Sequence, residues 1–183
     1  MVNHLSLEEL RAGLVEIRQA PQDNGEVKLI VARPSIDECL ILDVGEVSAE
    51  QGLHGDTWRQ RASSRTKDGS APPETQITLI NARLAQLIAQ SPDRWALAGD
   101  QFFVDMDLSE ENLPVGQRLR LGTAVLEITD QLHSGCAKFS QRFGSDALKF
   151  VNQAEGRALR LRGVYARVVQ PGQIKTGDTI RKI

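Results

Sequence analysis

Two runs of alternating residues, Gln117-Arg118-Leu119-Arg120-Leu121 and Ala124-Val125-Leu126-Glu127-Ile128-Thr129, meet at Gly122-Thr123. Period-two alternation on both sides of a two-residue, glycine-containing link commits this stretch to an antiparallel hairpin, because a helical face repeats every 3.6 residues instead. The alternation is nearly unbroken, and we expect Leu119, Leu121, Val125 and Ile128 to meet one shared core. A lone hairpin is marginal in water, so the fold needs further strands to cover that face.

The rest of the chain supplies them. Val27 to Ala32 and Glu38 to Val44 read as strands joined through Pro34-Ser35, and Thr75 to Ile80 and Phe102 to Val104 as two more. Val164 to Val169 follows, Pro171-Gly172 turns the chain, and Gln173 to Ile183 holds two short closing strands around Gly177-Asp178. Helical spacing is sparse. Ser6 and Glu9 form a capping box before Leu7, Leu10, Leu14 and Ile17, and Pro21 and Asn24-Gly25 end that helix. Asn81 caps a helix with Leu84, Leu87 and Ile88 on its buried side, and Phe139, Phe143 and Phe150 mark helix after Cys136. About eight short strands with a few irregularly placed helices argue against a doubly wound parallel sheet. We expect a mainly β fold with a few helices, a closed or nearly closed β-barrel over residues 25–183. Residues 1–24 read as an N-terminal helical extension.

With 183 residues the chain suits one such domain. Lys and Arg number 22 against 24 Asp and Glu, a near balance that argues against a dedicated nucleic-acid binder. The first residues carry no basic segment followed by an apolar run, and no stretch approaches a membrane span, so no membrane partner is expected. Cys39 and Cys136 are far apart, and without a secretory signal two free thiols in the cytoplasm is the expectation.

No glycine-rich phosphate loop, dinucleotide fingerprint or nucleophile elbow is present. Attention falls on His133-Ser134-Gly135-Cys136-Ala137-Lys138-Phe139, at a junction between strand and helix. Backbone N–H groups and the positive end of a helix favour a thiolate at such a place, and Lys138 and His133 would add positive charge. A small packed hydrophobe is the other role open to Cys136, and the expected one for Cys39 inside its apolar strand. The spacing of His133 and Cys136 also suits zinc, but only His54 or an acidic side chain could complete the site. Between His54 and Glu74 the chain is polar and lacks apolar periodicity, which marks a functional or mobile loop. Its Arg59, Arg61, Arg65 and Lys67 would make either an anion-binding surface or a solvated loop.

Several segments together resemble the MOSC domain, named after the C-terminal domain of molybdenum cofactor sulfurase. They are Gly55-Asp56, Ile77 to Asn81, Val115 to Thr129, Gly135-Cys136-Ala137-Lys138-Phe139, Gly163 to Gly172 and Gly177-Asp178, in that order. The resemblance covers roughly residues 26 to 183. It implies a β-barrel, and it implies that Cys136 matches the family's one characteristic cysteine. In sulfurases and stand-alone members that cysteine is held to carry sulfur as a persulfide for delivery to a metal–sulfur centre, with a cysteine desulfurase or a redox protein as partner. In relatives such as the mitochondrial amidoxime-reducing component, the matching thiolate ligates molybdenum of a pterin cofactor and N-hydroxylated compounds are reduced. Carried over to this chain, the resemblance implies Cys136 as the reactive thiol and metal ligand, with His133 and Lys138 favouring its thiolate. Arg59, Arg61 and Arg65 would meet the phosphate of molybdopterin, His54 and Asp56 would shape the pocket wall, and Arg142 would reach the same pocket. A non-catalytic module that binds an anionic small-molecule cofactor is the alternative. The chain departs from the family in Gly99-Asp100-Gln101, where many members carry Glu-Asn after the glycine, and in Gly135, where proline usually precedes the cysteine. No pyridoxal-phosphate lysine is recognised, so no sulfur-mobilising activity of its own is expected.

Overall fold

A computed structural model describes residues 3–63 and 66–183. In chain order its elements are α1 (Leu7–Ala12), α2 (Leu14–Arg18), β1 (Gly25–Ala32), β2 (Leu40–Leu42), β3 (Val44–Ser48), β4 (Gly52–Leu53), β5 (Ile77–Asn81), α3 (Ala82–Ala89) and β6 (Phe102–Asp105). They continue as β7 (Arg118–Leu121), β8 (Ala124–Ile128), α4 (Ala137–Phe143), α5 (Ser145–Asn152), α6 (Ala154–Ala158), β9 (Val164–Gln170), β10 (Gly172–Lys175) and β11 (Thr179–Lys182). Neighbouring strands run in the order β11, β7, β8, β9, β5, β6, β1, and β1 pairs back to β11, which closes a barrel of seven strands. Pairing is antiparallel except between β5 and β6, which α3 connects as a crossover. A small second sheet joins β10, β3 and β4.

The expected hairpin forms the middle of the barrel wall, and Gly122 turns it with a φ of +54°. An added Cβ there would lie 2.3 Å from the Gln173 carbonyl oxygen, so the turn needs glycine for space as well as for backbone conformation. One face assignment is corrected. Leu119 lies opposite Leu126 and Leu121 opposite Ala124, so Leu126, not Val125, shares the barrel interior with Leu119, Leu121 and Ile128. Cross-strand partners occupy one face, and Val125 is buried on the other.

Alternation along the strands builds two cores. Ile77, Leu79, Phe102 and Val104 point into the barrel, whereas Ile80 and Phe103 point out into a helical layer. That outer layer holds Leu10, Leu14 and Ile17, then Leu84 and Ile88, then Phe139, Phe143 and Phe150. Burial of each such side chain contributes about 1.5–3 kcal/mol. The first helix is split at Gly13 into α1 and α2, its capping box intact: Ser6 Oγ accepts from the Glu9 amide while Glu9 accepts from Ser6 N–H.

Cys39 departs from expectation. The apolar run from Glu38 to Val44 forms only three residues of β2 before breaking at Asp43, and Cys39 is exposed. The cause is closure. The first residues of β1 pair with β11 and its last with β2, so β2 hangs outside the closed ring with Leu40 and Ile41 also exposed.

Candidate functional site

At one end of the barrel, five segments converge on a cleft of about 850 Å³. They are the end of β1 with the link to β2, the loop after β4, the residues before β6, the segment from His133 into α4, and the start of β9. Cys136 lies on this cleft as the N-terminal cap residue of α4, and its thiol is free and exposed. Cys39 lines the same cleft, its Sγ donating to the Ala96 carbonyl at 3.5 Å.

Five cationic side chains line the same cleft as the thiol, and most are aimed by a specific partner. Arg33 is held by Asp56 through Nε at 2.7 Å and Nη2 at 3.0 Å, and its Nη1 donates to the Gly99 carbonyl at 2.7 Å. Arg162, almost fully buried, donates to Asp100 at 2.6 Å and to the Ala98 carbonyl at 2.9 Å, with its guanidinium 5.1 Å over the Phe139 ring. Lys138 and Arg142 stand four residues apart on α4, and both contact Asp37, at 2.9 Å and 2.8 Å. Burial and the neighbouring Arg33 charge push the Arg61 guanidinium down from its ordinary value. Among the described residues its fork donates to the Thr57 hydroxyl, and no carboxylate stands at ion-pair distance. An exposed arginine that borders a cleft and has no carboxylate at ion-pair distance among the described residues is a ready anion contact.

The residues expected from sequence divide accordingly. Cys136, His133, Lys138, Arg142 and Arg61 come together on the cleft. Asp56 acts one step behind, by fixing Arg33. His54 does not reach the cleft: it pairs with Ser48 and Glu46 on the small sheet, so it neither shapes this wall nor completes a zinc site with Cys136. Arg59 is exposed and paired with Glu50 at 2.9 Å, away from the cleft. Arg65 lies outside the described residues, and Lys67 is exposed. His133 adds no positive charge beside the thiol. Burial, then Arg162 and Arg33, push its imidazole well below the ordinary value, and it rests neutral.

Sequence reading missed Arg33, Arg162, Asp37 and Tyr165. The local signals are an arginine between an apolar strand and Pro34, and an arginine before Gly163 at the start of β9. Neither is distinctive until the barrel closes. No helix among the described residues is long and apolar enough to cross a membrane.

A sequence model described as MOSC domain matches residues 70–181. No curated protein matches the chain. Among solved structures, the YuaD protein from Bacillus subtilis superposes with a TM-score of 0.60 at 17% identity, covering 86% of this chain and 94% of that one. YiiM from Escherichia coli gives 0.55 at 18% identity, over 86% and 69%. YiiM from Geobacillus stearothermophilus gives 0.53 at 15%, over 88% and 73%. At these identities the likeness is one of fold.

Proposed function

The chain belongs to the MOSC domain family, and from that premise we propose that its cleft takes up a molybdenum–pterin cofactor, with Cys136 as the sulfur ligand to the metal. The observation that carries this reading is the exposed Cys136 thiol on a cleft of about 850 Å³ that also presents Arg33, Arg61, Lys138, Arg142 and Arg162. The donor set fits the group. A thiolate suits a soft metal, planar guanidinium forks suit phosphate, and the volume falls within the range of cofactor sites. Cys136 would hold the metal, Arg61 would meet the phosphate directly, and Lys138 and Arg142 would exchange Asp37 for the incoming anion.

Bound there, the group supplies two-electron redox chemistry, of the kind that reduces N-hydroxylated compounds. The chain's own residues bind, orient and exclude water. Asp56 and Asp100 hold two of the arginines at fixed angles, while Trp58 and Phe139 give apolar wall. A second reading, sulfur carried on Cys136 as a persulfide, is favoured by the exposure of the thiol, which leaves it open to a cysteine desulfurase or redox partner. Both readings suit a reducing compartment such as the cytoplasm, since both thiols must stay free.

The test is elemental and thiol analysis of protein made in a cofactor-proficient host. The wild type should carry molybdenum, and Cys136→Ser should lose it while keeping its melting temperature, because serine is nearly isosteric but a poor soft-metal ligand. Full metal content in Cys136→Ser overturns the cofactor reading. Persulfide without molybdenum would select the second.

A further inference from the structure

Three polar side-chain atoms under the cleft are sealed from solvent without a hydrogen-bond partner among the described residues: Asp100 Oδ1, His133 Nδ1 and Arg162 Nε. Two of them form one contact. His133 Nδ1 and Asp100 Oδ1 face each other at 3.6 Å, just beyond hydrogen-bond length. Leaving either atom bare forfeits its hydration with nothing in return, so folded proteins rarely do so without a use for it.

The surroundings keep this contact reserved. Arg162 Nη1 takes the other carboxylate oxygen of Asp100 at 2.6 Å, which leaves Oδ1 for the imidazole. The Tyr165 ring lies against His133 with centroids 4.5 Å apart and fixes the ring plane. Gly163, at a φ of +104°, keeps the approach clear. A Cβ there would stand 3.2 Å from His133 Nδ1, 3.4 Å from Asp100 Oδ1 and 2.4 Å from the Leu79 carbonyl oxygen. His133 also lines two cavities, the main cleft and a second of about 370 Å³, and so stands in the wall between them.

We propose that Asp100 and His133 form a proton-holding couple for the cleft, in which Asp100 positions the ring through Nδ1–H and His133 takes up and returns one proton at Nε2. The proton leaves an acidic group of a ligand bound in the cleft and bonds to the Nε2 lone pair. The Nδ1–H stays turned toward the Asp100 carboxylate 3.6 Å away, whose charge then balances the imidazolium, and no electrons change hands. Reversal returns the proton to the ligand. The groups that face the ring are Asp100 from the segment before β6, Arg162 and Tyr165 from the start of β9, and Arg33 from the end of β1. Burial, and after it the two arginines, keep the ring neutral, so its lone pair is on offer at rest. Burial pushes the Asp100 carboxyl up, against the opposing pull of Arg162 and Arg33, which favour its charged form. An anion in the cleft offsets those arginines and raises the proton affinity of His133, so ligand entry and proton uptake are linked. The couple rests on the cofactor reading only in needing an anionic ligand.

Nitrogen NMR of the imidazoles in the full chain tests it, with His133→Gln identifying the resonances among three histidines. His133 should be neutral in the Nδ1–H tautomer from about pH 6 to 8, and added sulfate should raise its proton affinity by about one pH unit. Asp100→Asn should mix the tautomers, and the wild-type sulfate series stands by itself if that variant fails to fold. An Nε2–H tautomer in the wild type overturns the couple. So does sulfate that shifts the amides of Arg61 and Lys138 while leaving His133 unmoved, a result the cofactor reading survives. Sulfate that binds nowhere in the cleft overturns the couple as a ligand-linked proton holder and counts against the cofactor reading as well.

Discussion

Asp56→Ala isolates how the cleft is held open. The Asp56 side chain is fully buried and accepts four hydrogen bonds: from the Arg33 amide at 3.1 Å, Arg33 Nε at 2.7 Å, Arg33 Nη2 at 3.0 Å and the Trp58 amide at 2.9 Å. Alanine removes every acceptor and leaves Arg33, whose side chain is 13% exposed, with only the Gly99 carbonyl. Breaking a buried pair from one side costs about 3–5 kcal/mol, because the remaining charge stays out of water. The cleft beside Arg33 admits some solvent, which places the expected loss near the lower end, about 3 kcal/mol. For a chain of this size that is roughly 6–12 °C in melting temperature. Asp56→Asn keeps the shape and one acceptor, and should lose about 1–3 kcal/mol. Glu50→Ala breaks the exposed pair with Arg59 and serves as the control, with a loss below about 1 kcal/mol. Urea unfolding followed by tryptophan fluorescence reads all three, since Trp58 adjoins the pair. If Asp56→Ala costs no more than Glu50→Ala, Arg33 is not held in the way described.

Both Cys39 and Cys136 should alkylate in native protein at neutral pH, because both are exposed on the cleft; mass spectrometry showing Cys39 protected until unfolding would contradict this. Leu126→Ala should destabilise by about 2–5 kcal/mol as a cavity in the barrel interior, and more than Val125→Ala on the other face; the reverse order in denaturant melts would mean the register is wrong. Acid should weaken the fold through His133. Its folded value lies well below the ordinary 6.5, so its contribution is complete above that pH and is lost as pH falls below it, at up to about 1.4 kcal/mol per unit. Asp100 works in the opposite sense, its raised carboxyl losing stabilisation as pH climbs from 3.8 to the folded value. Stability curves of wild type and His133→Gln should therefore diverge between about pH 5 and 7, and parallel curves would refute the burial argument.

Much of the wall of this barrel was legible in the chain itself. The Gly122-Thr123 hairpin, the Ser6–Glu9 capping box, the Asn81 cap and the phenylalanine spacing after Cys136 are short-range features, set by backbone sterics and by partners at most a few residues away. The position of Cys136 at a strand-to-helix junction was legible for the same reason. What the chain could not disclose depends on closure. Cys39 sits in an apolar run that reads as a buried strand, yet β1 spends its edge partly on β11, and the run is left outside the ring. His54 and Arg59 stand near Asp56 in sequence but fold onto other partners, whereas Arg162 meets Asp100 across 62 residues and Arg142 meets Asp37 across 105. Which charges share a cleft is decided by strand order around the barrel. Local propensity determines each strand and helix, but only long-range pairing determines which of their ends become neighbours.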